Sequence, residues 1–168
     1  MTVRTWFPAI GSLMLAWLLP QTAVAQTFDG VVVRVKDGDS LLVQRPLVGR
    51  VNEIRMAGID APELHQPWGP QAKSALRRLV QGRSVRVQVT DRDRYGRLVS
   101  RVYVGQTYVN AAMAAGGNAW AYSRYLPDAV IARAATRAKA QRLGLWSLPA
   151  PDRLPPPAWR ENHPRRLD

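Results

Sequence analysis

The chain has 168 residues, with 24 lysines and arginines against 12 acidic residues, a formal net charge of +12, and no cysteine. Lack of cysteine excludes a disulfide framework and thiolate metal sites, and the length suffices for one domain with its own core. All basic residues except Lys36, Lys73 and Lys139 are arginine, whose planar fork matches phosphate oxygens in pairs.

That balance suggests a polyanionic partner and salt-sensitive binding. A GC-rich genome that favours arginine codons is the bland alternative.

Residues 1–25 read as an export signal. Arg4 gives a basic start, Trp6 to Leu19 is an almost uncharged apolar run, and Ala23-Val24-Ala25 fits a small-x-small cleavage site before Gln26. A membrane anchor is the alternative, but the run falls short of the ~20 residues that span a bilayer. The mature product is expected to be soluble, periplasmic or secreted, with no membrane span.

From Phe28 to Lys36, Val31, Val33 and Val35 alternate with Val32 and Arg34, the period of a strand. Asp37-Gly38 is a turn dipeptide and Ser40 to Arg45 resumes as a second strand, so a hairpin is expected. Val51 to Met56 alternates again and runs into Gly58 and the Asp60-Ala61-Pro62 bend. Pro70 to Gln81 changes to helical spacing, with Ala72, Ala75, Leu76, Leu79 and Val80 on one face and Gly82 beyond the end. Ser84 to Thr90 and Leu98 to Val104 are strands around a charged loop at Tyr95-Gly96. A short helix over Val109 to Ala115 and a longer one from the N-cap Asp128 to Leu143 follow.

Residues 148–168 form a basic tail in which six of 21 residues are proline, and an extended chain is expected there. Residues 26–147 are then one α+β domain. Its five short strands could close into a small barrel of the oligonucleotide-binding (OB) type, with three helices.

Between these elements stand the side chains that phosphodiester hydrolysis needs. The anionic oxygens of a phosphodiester repel a nucleophile and the leaving alkoxide needs charge relief, so a site must supply positive charge and a base for water. Asp39 and Asp60, near neighbouring strand ends, are candidates to hold a hard cation such as Ca²⁺, which takes oxygen ligands. Glu63 is available as the base, and Arg55 and Arg97 can neutralise the phosphate. Taken singly, Asp37, Asp39 and Asp60 read as turn residues and the two arginines as surface residues. The complete set in this order points to a nuclease. Replacing either arginine by alanine is expected nearly to abolish turnover while folding persists.

Several stretches resemble the staphylococcal nuclease family: Val35-Lys36-Asp37-Gly38-Asp39-Ser40, Arg55 through Glu63, Gln66-Pro67-Trp68-Gly69, Asp93-Arg94-Tyr95-Gly96-Arg97, Val109-Asn110 and Gly144-Leu145-Trp146. The resemblance runs from about Phe28 to Trp146. It implies a five-stranded OB barrel with three helices and a Ca²⁺-dependent site that cleaves DNA and RNA, leaving 3′-phosphate ends. By motif position it makes Asp39, Asp60 and the backbone carbonyl of Ala61 the metal ligands, Glu63 the general base, and Arg55 and Arg97 the phosphate-binding pair. Arg94, Tyr95 and Tyr125 match nucleotide-contacting positions, and single strands are the expected substrate form.

The chain departs from the family pattern at Ser40 and Ala61, where the best-known member has threonines, at Arg94, which replaces a lysine, and at Ser123, where tyrosine is often found. His65 reads as an exposed loop residue, His163 falls in the proline-rich tail, and Trp120 is expected in the core. The rival to an enzyme is a non-catalytic nucleic-acid-binding barrel, which would use the same basic and aromatic surface without chemistry.

Overall fold

The computed structural model describes residues 26–122 and 128–163. Its strands are β1 (Thr27–Val35), β2 (Ser40–Gln44), β3 (Val51–Met56), β4 (Ile59–Asp60), β5 (Ser84–Arg92), β6 (Leu98–Val104), β7 (Thr107–Tyr108) and β8 (Trp120–Ala121). The α-helices are α1 (Gly69–Val80), α2 (Val109–Ala115), α3 (Ala129–Ala140) and α4 (Pro156–Asn162), with single 3-10 turns at Gly144–Ser147 and Ala150–Asp152. The expected export signal, Ser123 and Tyr125 lie outside the described residues. Among the described residues no helix is long and apolar enough to cross a membrane.

The five long strands follow the alternation of their valines. They pair in the order β3-β2-β1-β5-β6, all antiparallel, and β3 then meets β6 in parallel through Ile54↔Leu98, Arg55↔Val99 and Met56↔Ser100. That pairing closes the barrel and removes the free edges an open sheet would present. Val32, Leu41, Val43, Ile54, Val87 and Val102 fill the interior, and Leu76, Met113 and Ile131 join it from the helices. Ile59 and Asp60 of β4 pair with Ala121 and Trp120 of β8, forming a small second sheet beside the barrel.

Asn110 ties this small sheet to the barrel. It is fully buried; its Oδ1 accepts from Val102 N at 3.0 Å, and its Nδ2 donates to Ala57 O at 2.8 Å and Ser100 O at 3.1 Å. Ala57 starts the turn that carries the chain from β3 to β4 through Gly58, whose φ of +74° suits glycine. A buried polar group without a partner costs about 1–3 kcal/mol. Asn110→Ala is therefore expected to lower unfolding free energy by about 3 kcal/mol in urea titration; a loss under ~0.5 kcal/mol would refute the role given to this side chain.

Three sequence expectations change here. The long helix ends at Ala140 rather than Leu143, because Arg142 turns left-handed (φ +53°) and Leu143 N reaches back to Ala138 O at 2.9 Å. The proline-rich segment is not wholly extended: Pro156 and Pro157 sit in the first turn of α4, where a missing N–H is harmless. The described chain thus has a fourth helix beyond the three expected. Trp120 is half-buried rather than fully in the core and packs edge-on against Trp146, with ring centroids 5.8 Å apart.

Candidate active site

Asp39 closes the turn between β1 and β2. Its N–H donates to Asp37 Oδ1 at 3.0 Å, an Asx turn, and its carbonyl accepts from Met56 N at 2.8 Å. The carboxylate is thereby held at the end of β3. Ser40 Oγ donates to Asp39 Oδ1 at 3.1 Å and Ala61 N to Oδ2 at 2.7 Å, so serine supplies a hydroxyl to the acidic group and needs no β-methyl to do so.

Arg55, on β3, lies on the closing seam of the barrel. Its Nη1 donates to the carbonyls of Met56 and Ile59, each at 2.9 Å, and its Nη2 donates to Asp60 Oδ1 at 2.9 Å; Asp39 Oδ2 is 3.3 Å from Nη1. It is a half-buried strut between both acidic groups rather than a surface arginine. The expectation that its removal spares the fold is therefore revised.

Glu63 stands in a tight loop leading to α1. Its N–H donates to Gln66 Oε1 at 3.0 Å and its carbonyl accepts from Gln66 N at 2.9 Å. Gly69 packs so closely on the Glu63 carbonyl that a Cβ there would collide with it. Trp68 takes a left-handed φ of +72°, rare for a side chain of its size, with its indole N–H bonded to Asn118 Oδ1 at 3.1 Å. The loop is over-determined, so the backbone beneath Glu63 is fixed.

Arg97 ends the turn between β5 and β6. Asp93 Oδ1 accepts from the backbone N–H of Tyr95 and of Arg97, each at 3.0 Å, and Oδ2 accepts from Arg97 Nε at 2.7 Å. Burial opposes the Asp93 charge, but these hydrogen bonds outweigh it and hold the carboxyl below the usual range. Tyr95 is 70% exposed, with the guanidinium groups of Arg94 and Arg97 5.1 and 5.5 Å from its ring centroid.

These elements converge on one cleft of about 660 Å³. Asp39, Arg55, Asp60, Ala61, Glu63, Arg94, Tyr95 and Arg97 all line it, so every described residue singled out from the sequence as a site candidate is in one place. His65 is exposed in the loop, as expected. The cleft also holds residues to which sequence reasoning gave no role there: Asp37, Glu53, Arg160 and His163. Asp37 signals itself only as a turn residue, and nothing local marks Arg160 or His163, which reach the cleft through the fold of the tail.

Burial pushes the Asp39 carboxyl above the ordinary range, and neighbouring Asp60 adds to the push while Arg55 opposes it. Asp60 is raised in the same way, by burial first and then by Glu63 and Asp37, against the pull of Arg55 and Arg160. Asp37 too is raised, by burial and by Asp39. Three carboxyls crowded into a buried site are in surroundings that an added cation would ease. Among the described residues no three acidic or histidine side chains cluster tightly enough to hold one alone. Asp39 and Asp60 with a backbone carbonyl and water make the mixed oxygen set that Ca²⁺ accepts.

The family model described as staphylococcal nuclease homologue matches residues 53–148. An uncharacterized endonuclease of Escherichia coli is 39% identical over 132 residues, 78% of this chain and 84% of that protein. Another of Haemophilus influenzae is 36% identical over 129 residues, 77% of this chain and 71% of that protein. The staphylococcal-like nuclease CAN1 of Arabidopsis thaliana is 38% identical over 109 residues, 65% of this chain. The matched part is about a third of that plant protein and of its rice counterpart, the probable staphylococcal-like nuclease CAN1.

Proposed function

This chain belongs to the staphylococcal nuclease family, and we propose that it is a Ca²⁺-dependent nuclease cleaving DNA and RNA outside the cytoplasm. The observation that carries the reading is the single cleft joining two buried carboxylates, a held glutamate and the arginines. Asp39 and Asp60, with the Ala61 carbonyl, would hold the cation, which supplies charge relief to a phosphate oxygen. Glu63 takes the proton of the attacking water. Arg97, with Arg55 behind it, neutralises charge that grows on the phosphate. Tyr95, exposed between Arg94 and Arg97, offers a face on which a base can stack, which favours single strands. The products carry 3′-phosphate ends.

A basic hollow over α1, lined by Lys73, Arg77 and Arg78, adjoins the Glu63 loop through Leu64 and adds to the polyanion-attracting surface. For export, the support is the 1–25 pattern together with a barrel that starts at once after it: Gln26 O already accepts from Val89 N at 2.9 Å.

The test is degradation of single-stranded DNA and RNA by residues 26–168 with Ca²⁺ or with a chelator, followed by analysis of product ends. Cleavage is expected only with Ca²⁺, with ends that a phosphatase must remove before a 3′ extension. Strand binding without cleavage across several divalent metals would instead identify a non-catalytic binding barrel. Protein recovered from the envelope or medium of the producing cell is expected to begin at Gln26; recovery only from cytoplasm with residues 1–25 intact would overturn export.

A further inference from the structure

We propose that the C-terminal segment is a wall of the active cleft, and that Arg160 is a positioning residue holding the Glu63 carboxylate for use. The inference rests on the nuclease reading for its chemistry and on separate contacts for its geometry. Arg160 also lies beyond residue 148, where the family match ends.

Two contacts join the segment to the site. The first is Gln66, a polar side chain only 2% exposed. Its Oε1 accepts from the backbone N–H of Glu63 at 3.0 Å, and its Nε2 donates to the backbone carbonyl of Leu154 at 2.6 Å. One buried amide thus clips the Glu63 loop to a strand of chain 88 residues away. Both ends of that amide are used, so detaching the segment would strand a buried donor.

The second contact is made one turn into α4. Pro155, Pro156 and Pro157 fix the chain direction after Leu154, and Pro156 is buried. The helix then delivers Arg160, whose Nη1 lies 2.5 Å from Glu63 Oε1 and whose Nη2 lies 3.7 Å from Asp60 Oδ2. Trp159 and His163 stack beside it with ring centroids 3.7 Å apart, and His163 lines the cleft.

Magnitude decides what the Arg160–Glu63 pair is for. The Arg160 side chain is 48% exposed and that of Glu63 28%; exposed pairs contribute little to stability. The same contact fixes the rotamers of a three-torsion carboxylate above a rigid backbone. Misplacing a reacting group by about 1 Å can cost ~10²-fold in rate. The effect of Arg160 therefore belongs to turnover, not to folding.

The experiment compares mature wild type with Arg160→Ala and Arg160→Lys on single-stranded DNA at saturating Ca²⁺. Arg160→Ala is expected to lower kcat about 10- to 100-fold, with KM within about twofold and melting almost unchanged. Arg160→Lys is expected to recover part of the loss. Unchanged kcat would overturn the proposal. So would faster turnover, which would make the contact a restraint, or a rise in KM alone, which would make Arg160 a phosphate contact only.

A readout independent of catalysis separates this from failure of the nuclease reading. In nitrogen-15 NMR, the Arg160 guanidinium protons are expected to exchange slowly in wild type and fast in Glu63→Gln. An inactive wild type with that signature would sink the nuclease reading and leave the contact standing. Fast exchange in wild type would sink the positioning role whatever the activity.

Discussion

Arg55→Ala is expected to lose about 10³- to 10⁵-fold in kcat/KM and, unlike Arg97→Ala, to lose about 3–5 kcal/mol of stability with it. The rate term is shared, because both arginines line the cleft and the proposed mechanism gives both the phosphate charge to neutralise; a placed guanidinium has that scale of effect in phosphoryl transfer. The stability term is not. Arg55 satisfies the Met56 and Ile59 carbonyls and is the counter-ion of both Asp39 and Asp60, which are 7% and 4% exposed. Removing it takes the guanidinium away from buried Asp39 and leaves buried Asp60 with only the longer contact to Arg160, 3.7 Å away. The Arg97 side chain is paired with Asp93 and lies by the exposed Tyr95 ring, and both backbone N–H donors to Asp93 survive the substitution. Its loss is expected to cost under about 1 kcal/mol.

The pH dependence of Arg55→Ala has a definite sign. Burial already raises Asp39 and Asp60, and Arg55 is the largest influence pulling them down. In the variant they rise further above their unfolded values. A carboxyl with a raised folded pKa takes up a proton on folding, so its stability is greatest at low pH and is lost as pH rises through the folded value. Denaturant titrations should therefore show a larger deficit at pH 7.5 than at pH 5. An equal deficit at both would remove the uncompensated-carboxylate account, and near-normal turnover would remove Arg55 from the mechanism.

How much of this was legible depends on how local each feature is. β3 and β6 were readable to the residue because alternation of apolar side chains is imposed by burying one face of a strand. α2 was readable because Gly116-Gly117 stops it. The parallel β3–β6 seam has no local signature, and it is the seam that turns Arg55 from a surface-type residue into a half-buried strut. The carboxylates were legible as a set because Asp39 and Glu63 sit in loops and Asp60 at the end of the short strand β4, positions where a carboxylate interrupts the apolar pattern. Arg160 was hidden by composition. Prolines that exclude a helix interior are compatible with a helix start, and it is long-range contacts, the buried Gln66 amide and the Arg160 ion pairs, that bring that helix to the cleft.

Glu63→Gln is expected to lower kcat about 10²- to 10⁴-fold while leaving KM within a few-fold and the melting transition in place. The substitution keeps the size and planarity of the side chain and removes its charge and basicity. The backbone under it is held by the Gln66 amide and the Gly69 approach, neither of which involves the carboxylate. Among the contacts of the carboxylate is Arg160, an exposed partner whose release costs little. A stable, substrate-binding, nearly inactive variant would therefore isolate proton transfer as the lost step. A kcat within about tenfold of wild type would mean that water is activated elsewhere in the cleft. A collapsed melting transition would mean that the contacts of the Glu63 carboxylate carry the fold, against the exposure of the Arg160 pair. Combining Glu63→Gln with Arg160→Ala separates the remaining cases: if Arg160 acts through Glu63, the double variant is expected to be no slower than Glu63→Gln alone, whereas multiplying effects would give Arg160 a contact of its own with the substrate.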